Sequence, residues 1–256
     1  MRIRPASPAA LALAVLVWLM PCLGGCGLTD TQAWKSSRRF YYTYVNTPAR
    51  IDVSDPVTLS ENDSRLASRL MAVDEQLSGL EQALDALGSV PDGAAVDALL
   101  RRFPWLSGLT LVDASGVILA AEPPVSLKQL DFTPLLECPP GSSPRALRAV
   151  VQDTVLGPEV LVARPLLAGG ELQALLVASF DFRSLLPYTS TPGDLVVRTA
   201  DILMWAGDEA GSLDGVDWSA QIAKRSHGVV RTESSAFVWL VRYMGGQPLV
   251  FATPVA

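Results

Sequence analysis

Two hydrophobic periods divide the chain. From Leu66 onward, apolar residues recur at Leu70, Val73, Leu77, Leu80, Leu84 and Leu87, spaced four and three apart. That spacing puts all seven on one narrow stripe of a helix over 57–87, with Arg65, Arg69, Asp74, Glu75, Glu81 and Asp85 opposite. Thr58 and Glu61 read as a capping box at its start, and Gly88 and Pro91 stop it. A stripe this narrow over three heptads permits a homodimer through a coiled coil from Leu66 to Leu87. It equally permits one long helix laid along the rest of the domain.

A second, short helix over 94–103 leads into Pro104-Trp105-Leu106, where the period becomes two. Segments 109–113 and 117–121 form a hairpin around Ala114-Ser115-Gly116. Short helical turns over 126–137, interrupted by Pro134, precede a loop over 139–144. Three strands follow at 146–152, 160–167 and 171–180, the last two joined by a Gly169-Gly170 turn, then a short helical connector over 181–186. The tail repeats this order. It has a hairpin of 195–199 with 202–206, a helix over 218–225, and strands at 228–233, 237–244 and 247–253. Both halves read strand, strand, helix, then three strands; the pattern repeats, not the residues.

The first residues are of another kind. Arg2 and Arg4 precede an apolar run of roughly a dozen residues, short of the about 20 that a spanning helix needs. Leu23-Gly24-Gly25-Cys26 follows directly. A basic start, an apolar stretch and small residues are the parts of a secretory signal, and the last four residues resemble the lipobox of bacterial lipoproteins. The resemblance implies that 1–25 is removed and that Cys26 carries the lipid. An ordinary signal peptide with an incidental cysteine, or an N-terminal membrane anchor, is the plainer reading. Gly27 stands where the inner-membrane retention rule wants Asp, which implies sorting to the outer membrane, facing the periplasm, in a Gram-negative organism.

Removing 1–25 takes two arginines and no acid, leaving 18 basic against 26 acidic residues, a net charge of −8. Such a surface argues against nucleic acid and against adhesion to anionic headgroups. The roughly 230 remaining residues suffice for a proper core. Segment 26–56 starts as a polar tether, but Phe40-Tyr41-Tyr42-Thr43-Tyr44 holds more rings than a flexible linker tolerates. It either packs back on the domain or meets a membrane or partner. Cys138 stands alone in the mature chain and reads as a small buried residue.

Catalytic constellations are not found. His227 is the only histidine and lies in a helix-to-strand turn, Lys224-Arg225-Ser226-His227-Gly228, where a surface or capping role suffices. Gly169-Gly170 and Gly245-Gly246 are hairpin turns rather than phosphate loops. Asp214 and Asp217 lie in a Gly-rich loop, and Asp113 with Ser115 and Gly116 is a turn signature before it is a calcium site. The sequence therefore suggests no enzyme, no cofactor and no metal.

A long N-terminal helix followed by two runs of strand, strand, helix and three strands resembles the extracytoplasmic Cache sensor domains, whose modules are PAS-like. The stretches carrying the resemblance are Trp105 to Asp113 with Gly116-Val117-Ile118-Leu119, Ala163-Arg164-Pro165-Leu166 with Gly170 to Asp181, Leu195 to Leu203, and Gln247 to Pro254. It implies an α+β fold with PAS-like antiparallel sheets, as a double Cache or alternatively a single one. The long helix would occupy 57–91, a membrane-distal module 92–187 and a smaller membrane-proximal module 188–256. In this family the distal sheet forms a pocket for amino acids, amines or carboxylates. The family's acid at the end of the last distal strand matches Asp181, which would accept from a ligand ammonium; capping the helix that follows it serves as well. Arg164 and Arg148 are candidates to meet a carboxylate, and Tyr188 is the only tyrosine near. The family's Arg-x-Trp pair is missing from 125–186, so the pocket is open to being filled by its own side chains. The expected function is then small-ligand binding reported to a protein partner, the alternative being a scaffold that binds protein only.

Overall fold

The computed structural model describes residues 61–255 apart from 139, 140, 209 and 234. The lipobox with Cys26, the ring cluster 40–44 and Thr58 of the capping box lie outside the described residues. The first element is a helix of 25 residues, α1 (Glu61–Asp85), followed by α2 (Gly93–Arg102), whose N-cap Asp92 accepts from the amide of Ala95 at 2.8 Å. Then come β1 (Gly108–Asp113), β2 (Ile118–Glu122), α3 (Thr133–Leu136), β3 (Arg148–Gln152), β4 (Glu159–Ala168), β5 (Glu171–Phe180) and a 3-10 segment, Phe182–Tyr188. The second half has β6 (Val196–Arg198), β7 (Leu203–Trp205), α4 (Trp218–Lys224), β8 (His227–Arg231), β9 (Ala236–Met244) and β10 (Gln247–Pro254).

The strands make two five-stranded antiparallel sheets, ordered β2-β1-β5-β4-β3 and β7-β6-β10-β9-β8. The order is the same in both, so the pattern repeat read from the sequence is a repeat of topology. The expected class, a long helix with two antiparallel sheets, is the fold observed. β4 and β5 read as near-continuous apolar runs because both faces of the first sheet are covered. Edge strand β2 is exposed along most of its length. Only residues 133–136 of the expected 126–137 turns are helical, and Pro134 sits in the first turn, where its missing N–H is harmless.

The stripe of α1 lies across the inner faces of both sheets. Leu66, Leu70, Val73, Leu77, Leu80 and Leu84 are buried. They join one core with Val160, Val162, Leu176 and Phe180 of the first sheet and Val197, Val238, Leu249 and Phe251 of the second. The stripe is thereby spent within the chain and offers no seam for the homodimer that its spacing permits. The residues flanking the stripe are not simply solvated either. Arg242 of β9 donates to Asp74 (2.5 Å), Ser78 (3.1 Å) and Glu81 (2.8 Å), and Arg69 reaches Thr191, Asp194 and Thr253. Cys138 is exposed rather than buried, because it lies in the loop that follows α3 rather than in an element packed on the core. Among the described residues no helix is long and apolar enough to cross a membrane.

Arg242 is 7% exposed. Burial pushes the Glu81 carboxyl up, and Arg242 opposes that shift. Arg242→Met is therefore expected to cost about 2 kcal/mol at neutral pH, reduced from a fully buried pair because Asp74 is half-exposed. A raised carboxyl pKa destabilises only while the group is ionised. The cost in this variant should accordingly shrink as pH falls and Glu81 takes up its proton; urea midpoints of both proteins between neutral and mildly acidic pH check this.

Candidate functional site

Strand register assigns the faces. Gly108, Ser179 and Leu161 lie abreast, as do Thr110, Val177 and Ala163, with Arg148 opposite Ala163. These residues point away from α1 and form the outer face of the first sheet. The chain between β2 and β3 crosses that face, and its Phe132 and Leu135 pack on Val112, Leu161, Ala163, Leu175 and Val177. This apolar plug closes the centre. Polar groups gather at the two ends.

At one end stands Asp181, immediately after β5. Its Oδ1 accepts from the amide of Arg183 at 2.9 Å, capping the 3-10 segment. Its Oδ2 accepts from the ammonium of Lys128 at 2.9 Å. The capping role expected of Asp181 is present, and the ammonium that its other oxygen meets is the chain's own. Lys128 Nζ also donates to Glu159 Oε2 (2.6 Å) and to the carbonyl of Pro158 (3.2 Å). An ammonium has three N–H groups, and these three acceptors can take them all. Glu159 is 1% exposed, so Lys128 is the counter-charge that makes its burial tolerable. Arg183 Nε donates to Asp181 Oδ1 at 2.8 Å. Two cations thus face two carboxylates, and the group is neutral.

The electrostatics follow. Burial pushes Asp181 up, but the hydrogen bonds from Arg183 and Lys128 outweigh it and hold the carboxyl down at about 2. For Lys128 burial acts downward and is outweighed by Glu159 and Asp181, so its pKa is raised. A depressed carboxyl stabilises above its ordinary value of 3.8, and that stabilisation is lost as pH falls toward about 2. Asp181→Asn should therefore remove part of the stability measured at neutral pH and flatten its fall between about pH 4 and 2; acid titration followed by circular dichroism checks it.

Beside this group opens a pocket of about 140 Å³, lined by Ser107, Thr110, Ile118, Lys128, Leu130 and Ser179 among others. Ser179 Oγ donates to the Gly108 carbonyl, not to a base. Among the described residues no cluster of metal-ligating side chains occurs.

The other candidates lie elsewhere. Arg148 is on the same outer face, but four residues along β4 from Glu159, about 13 Å away, with the plug between. Arg164 points to the inner face, where it donates to Asp85 (2.8 Å) and to the carbonyls of Leu87 and Arg145. Tyr188 packs against the inner core. An α-amino acid, with ammonium and carboxylate on one carbon, cannot reach Asp181 and either arginine together. Sequence reasoning missed Lys128 and Glu159. The available signal was a single lysine between residues 35 and 224 and an acid opening the apolar run of β4. The outer face of the second sheet is filled by Trp218 of α4, edge-on to Trp239 at 5.6 Å.

No family model matches the chain, and no curated protein matches it. Solved structures do. An extracellular ligand-binding receptor from Desulfohalobium retbaense is 14% identical over 80% of this chain, at a TM-score of 0.47; the match spans 41% of the receptor's length. The ligand-binding domain of the Pseudomonas fluorescens chemoreceptor CtaA, solved with L-leucine, is 13% identical over 75% of this chain and 90% of its own, at 0.44. That of the Pseudomonas aeruginosa amino-acid chemoreceptor PctC, solved with GABA, is 13% identical over 76% and 95%, at 0.43. The first is described as an extracellular ligand-binding receptor and the other two as ligand-binding domains of chemoreceptors.

Proposed function

We propose that the chain is a lipid-anchored extracytoplasmic sensor domain of the Cache type, whose first sheet carries a seat for a primary ammonium at Asp181. The observation that carries this reading is the shell around Lys128 Nζ, made of Glu159, Asp181 and the Pro158 carbonyl; Lys128 itself lines the pocket of about 140 Å³. The same three acceptors suit the amine of a small ligand. Lys128 competes with it from within, tethered at a high effective concentration. A ligand that enters displaces Lys128 and frees its part of the chain crossing the outer face, a movement that a protein partner can detect. Residues 92–187 are taken as the membrane-distal module holding the seat and 188–256 as the proximal one. Lipid on Cys26 provides the membrane link, with sorting to the outer membrane facing the periplasm in a Gram-negative organism. No catalysis is assigned.

The plug of Phe132 and Leu135, with every N–H of Lys128 supplied by the chain, favours a second reading: a scaffold that keeps the seat permanently filled and binds protein only. Thermal-shift screening of the full-length protein against amines, amino acids and carboxylates separates the two, because a ligand of the folded state raises the midpoint. The sensor reading expects a saturable rise with at least one amine-bearing compound. No rise with any amine leaves the scaffold.

A further inference from the structure

The far end of the outer face holds a charge that the ammonium seat does not use. Arg148 is 6% exposed. Its Nη1 donates to the carbonyls of Leu135 (2.8 Å) and Leu136 (2.7 Å), which close α3. Its Nε is buried without a partner, and among the described residues no carboxylate pairs with the guanidinium and Nη2 makes no hydrogen bond. An arginine keeps its charge at any pH the fold survives, and a buried charge without a counter-ion is strongly unfavourable. The guanidinium is thus a buried cation that donates to two neutral carbonyls.

A pocket of about 440 Å³ lies beside it, lined by Ser142, Ser143, Arg148, Gly245, Gly246 and Gln247 among others. Among the described residues Arg148 is its only ionised lining residue, and the volume falls in the range of small-molecule sites, about 300–1,000 Å³. Its walls come from both sheets. The Gly245-Gly246 turn of the second sheet presses on the edge of β3, where the amide of Ala149 donates to the Gly245 carbonyl at 3.1 Å. A Cβ on Gly245 would come within 2.6 Å of the Arg148 carbonyl carbon, and its φ of +51° also favours glycine. Ser142, Ser143 and Gln247 add neutral polar residues to the lining, and among the described residues no acid lines the pocket to repel an anion.

We infer that this junction pocket binds a small oxyanion, of carboxylate or phosphate chemistry, with the Arg148 guanidinium as its counter-charge. A bound anion bridges the edge of the first sheet and the turn of the second, so occupancy stiffens the junction between them. The site is separate from the ammonium seat and does not depend on it.

The test titrates the full-length protein with sodium succinate and with sodium phosphate, each against sodium chloride at equal ionic strength. Two quantities are followed, the melting midpoint and the Nε–Hε cross-peak of Arg148. At an anion concentration 100-fold over Kd the midpoint should rise by about 5–10 °C, and the cross-peak should move with the same Kd. The anion that saturates identifies the source, carboxylate or phosphate. Arg148→Gln should lose at least tenfold in affinity. Gln247→Ala, which leaves the bonds to α3 intact, should lose a few-fold and keeps the test decisive if Arg148→Gln does not fold. A midpoint that follows ionic strength alone, an unmoved cross-peak, or an Arg148→Gln protein that responds like wild type overturns the site.

Discussion

Lys128→Ala is expected to destabilise the protein by about 3 kcal/mol, lowering its melting midpoint by roughly 10 °C. Packing of the stem, in a side chain that is 13% exposed, contributes only part of the loss, and the larger part has another source. It comes from Glu159, which is 1% exposed and has its ion pair with Lys128 Nζ at 2.6 Å. Asp181 suffers less, because Arg183 still donates to it from side chain and backbone. Removing one partner of a buried pair strands the other charge, and that stranded charge sets the size of the effect. If the seat tolerates any ammonium, a small alkylamine added from solution should restore part of the loss in this variant, while the same concentration of a neutral alcohol should not. Calorimetry of the variant with and without the amine checks both halves.

The second large effect belongs to α1. Leu80 is fully buried against both sheets, and Leu80→Ala should cost about 3 kcal/mol through lost transfer energy and the cavity left behind. The midpoint should not depend on protein concentration, in the wild type or the variant, because the stripe is satisfied inside one chain. A coiled-coil seam predicts the opposite, a midpoint that rises with concentration. Denaturant unfolding over a hundredfold concentration range distinguishes them.

The fold was legible because period and punctuation agree. The stripe from Leu66 to Leu87, the Gly turns and the alternating segments place every strand within about two residues of its observed ends. What the stripe packs against was not legible. Spacings of four and three satisfy a partner helix and a pair of sheets equally, and only the sheets' inner faces decide it. Arg164 and Arg148 illustrate the same difficulty at the site. Each sits in an apolar strand, and only register sends Arg164 inward to Asp85 and Arg148 outward. Asp181 was found through its place at the end of β5. Its partners were not found, because Lys128 and Glu159 are 31 residues apart and meet only when the crossing chain folds over the sheet.

On the proposed reading, Glu159 and Asp181 make an ammonium seat which Lys128 occupies from within. Titration calorimetry of the full-length Lys128→Ala protein with n-butylamine tests it most directly, with the wild type and Lys128→Ala/Asp181→Asn as references. Saturable one-to-one binding to Lys128→Ala is expected, with at least tenfold weaker binding to the wild type because the tethered lysine competes, and loss of binding when Asp181 is also replaced. Lys128→Ala that folds and binds no amine, or that binds equally well without the Asp181 carboxylate, contradicts it.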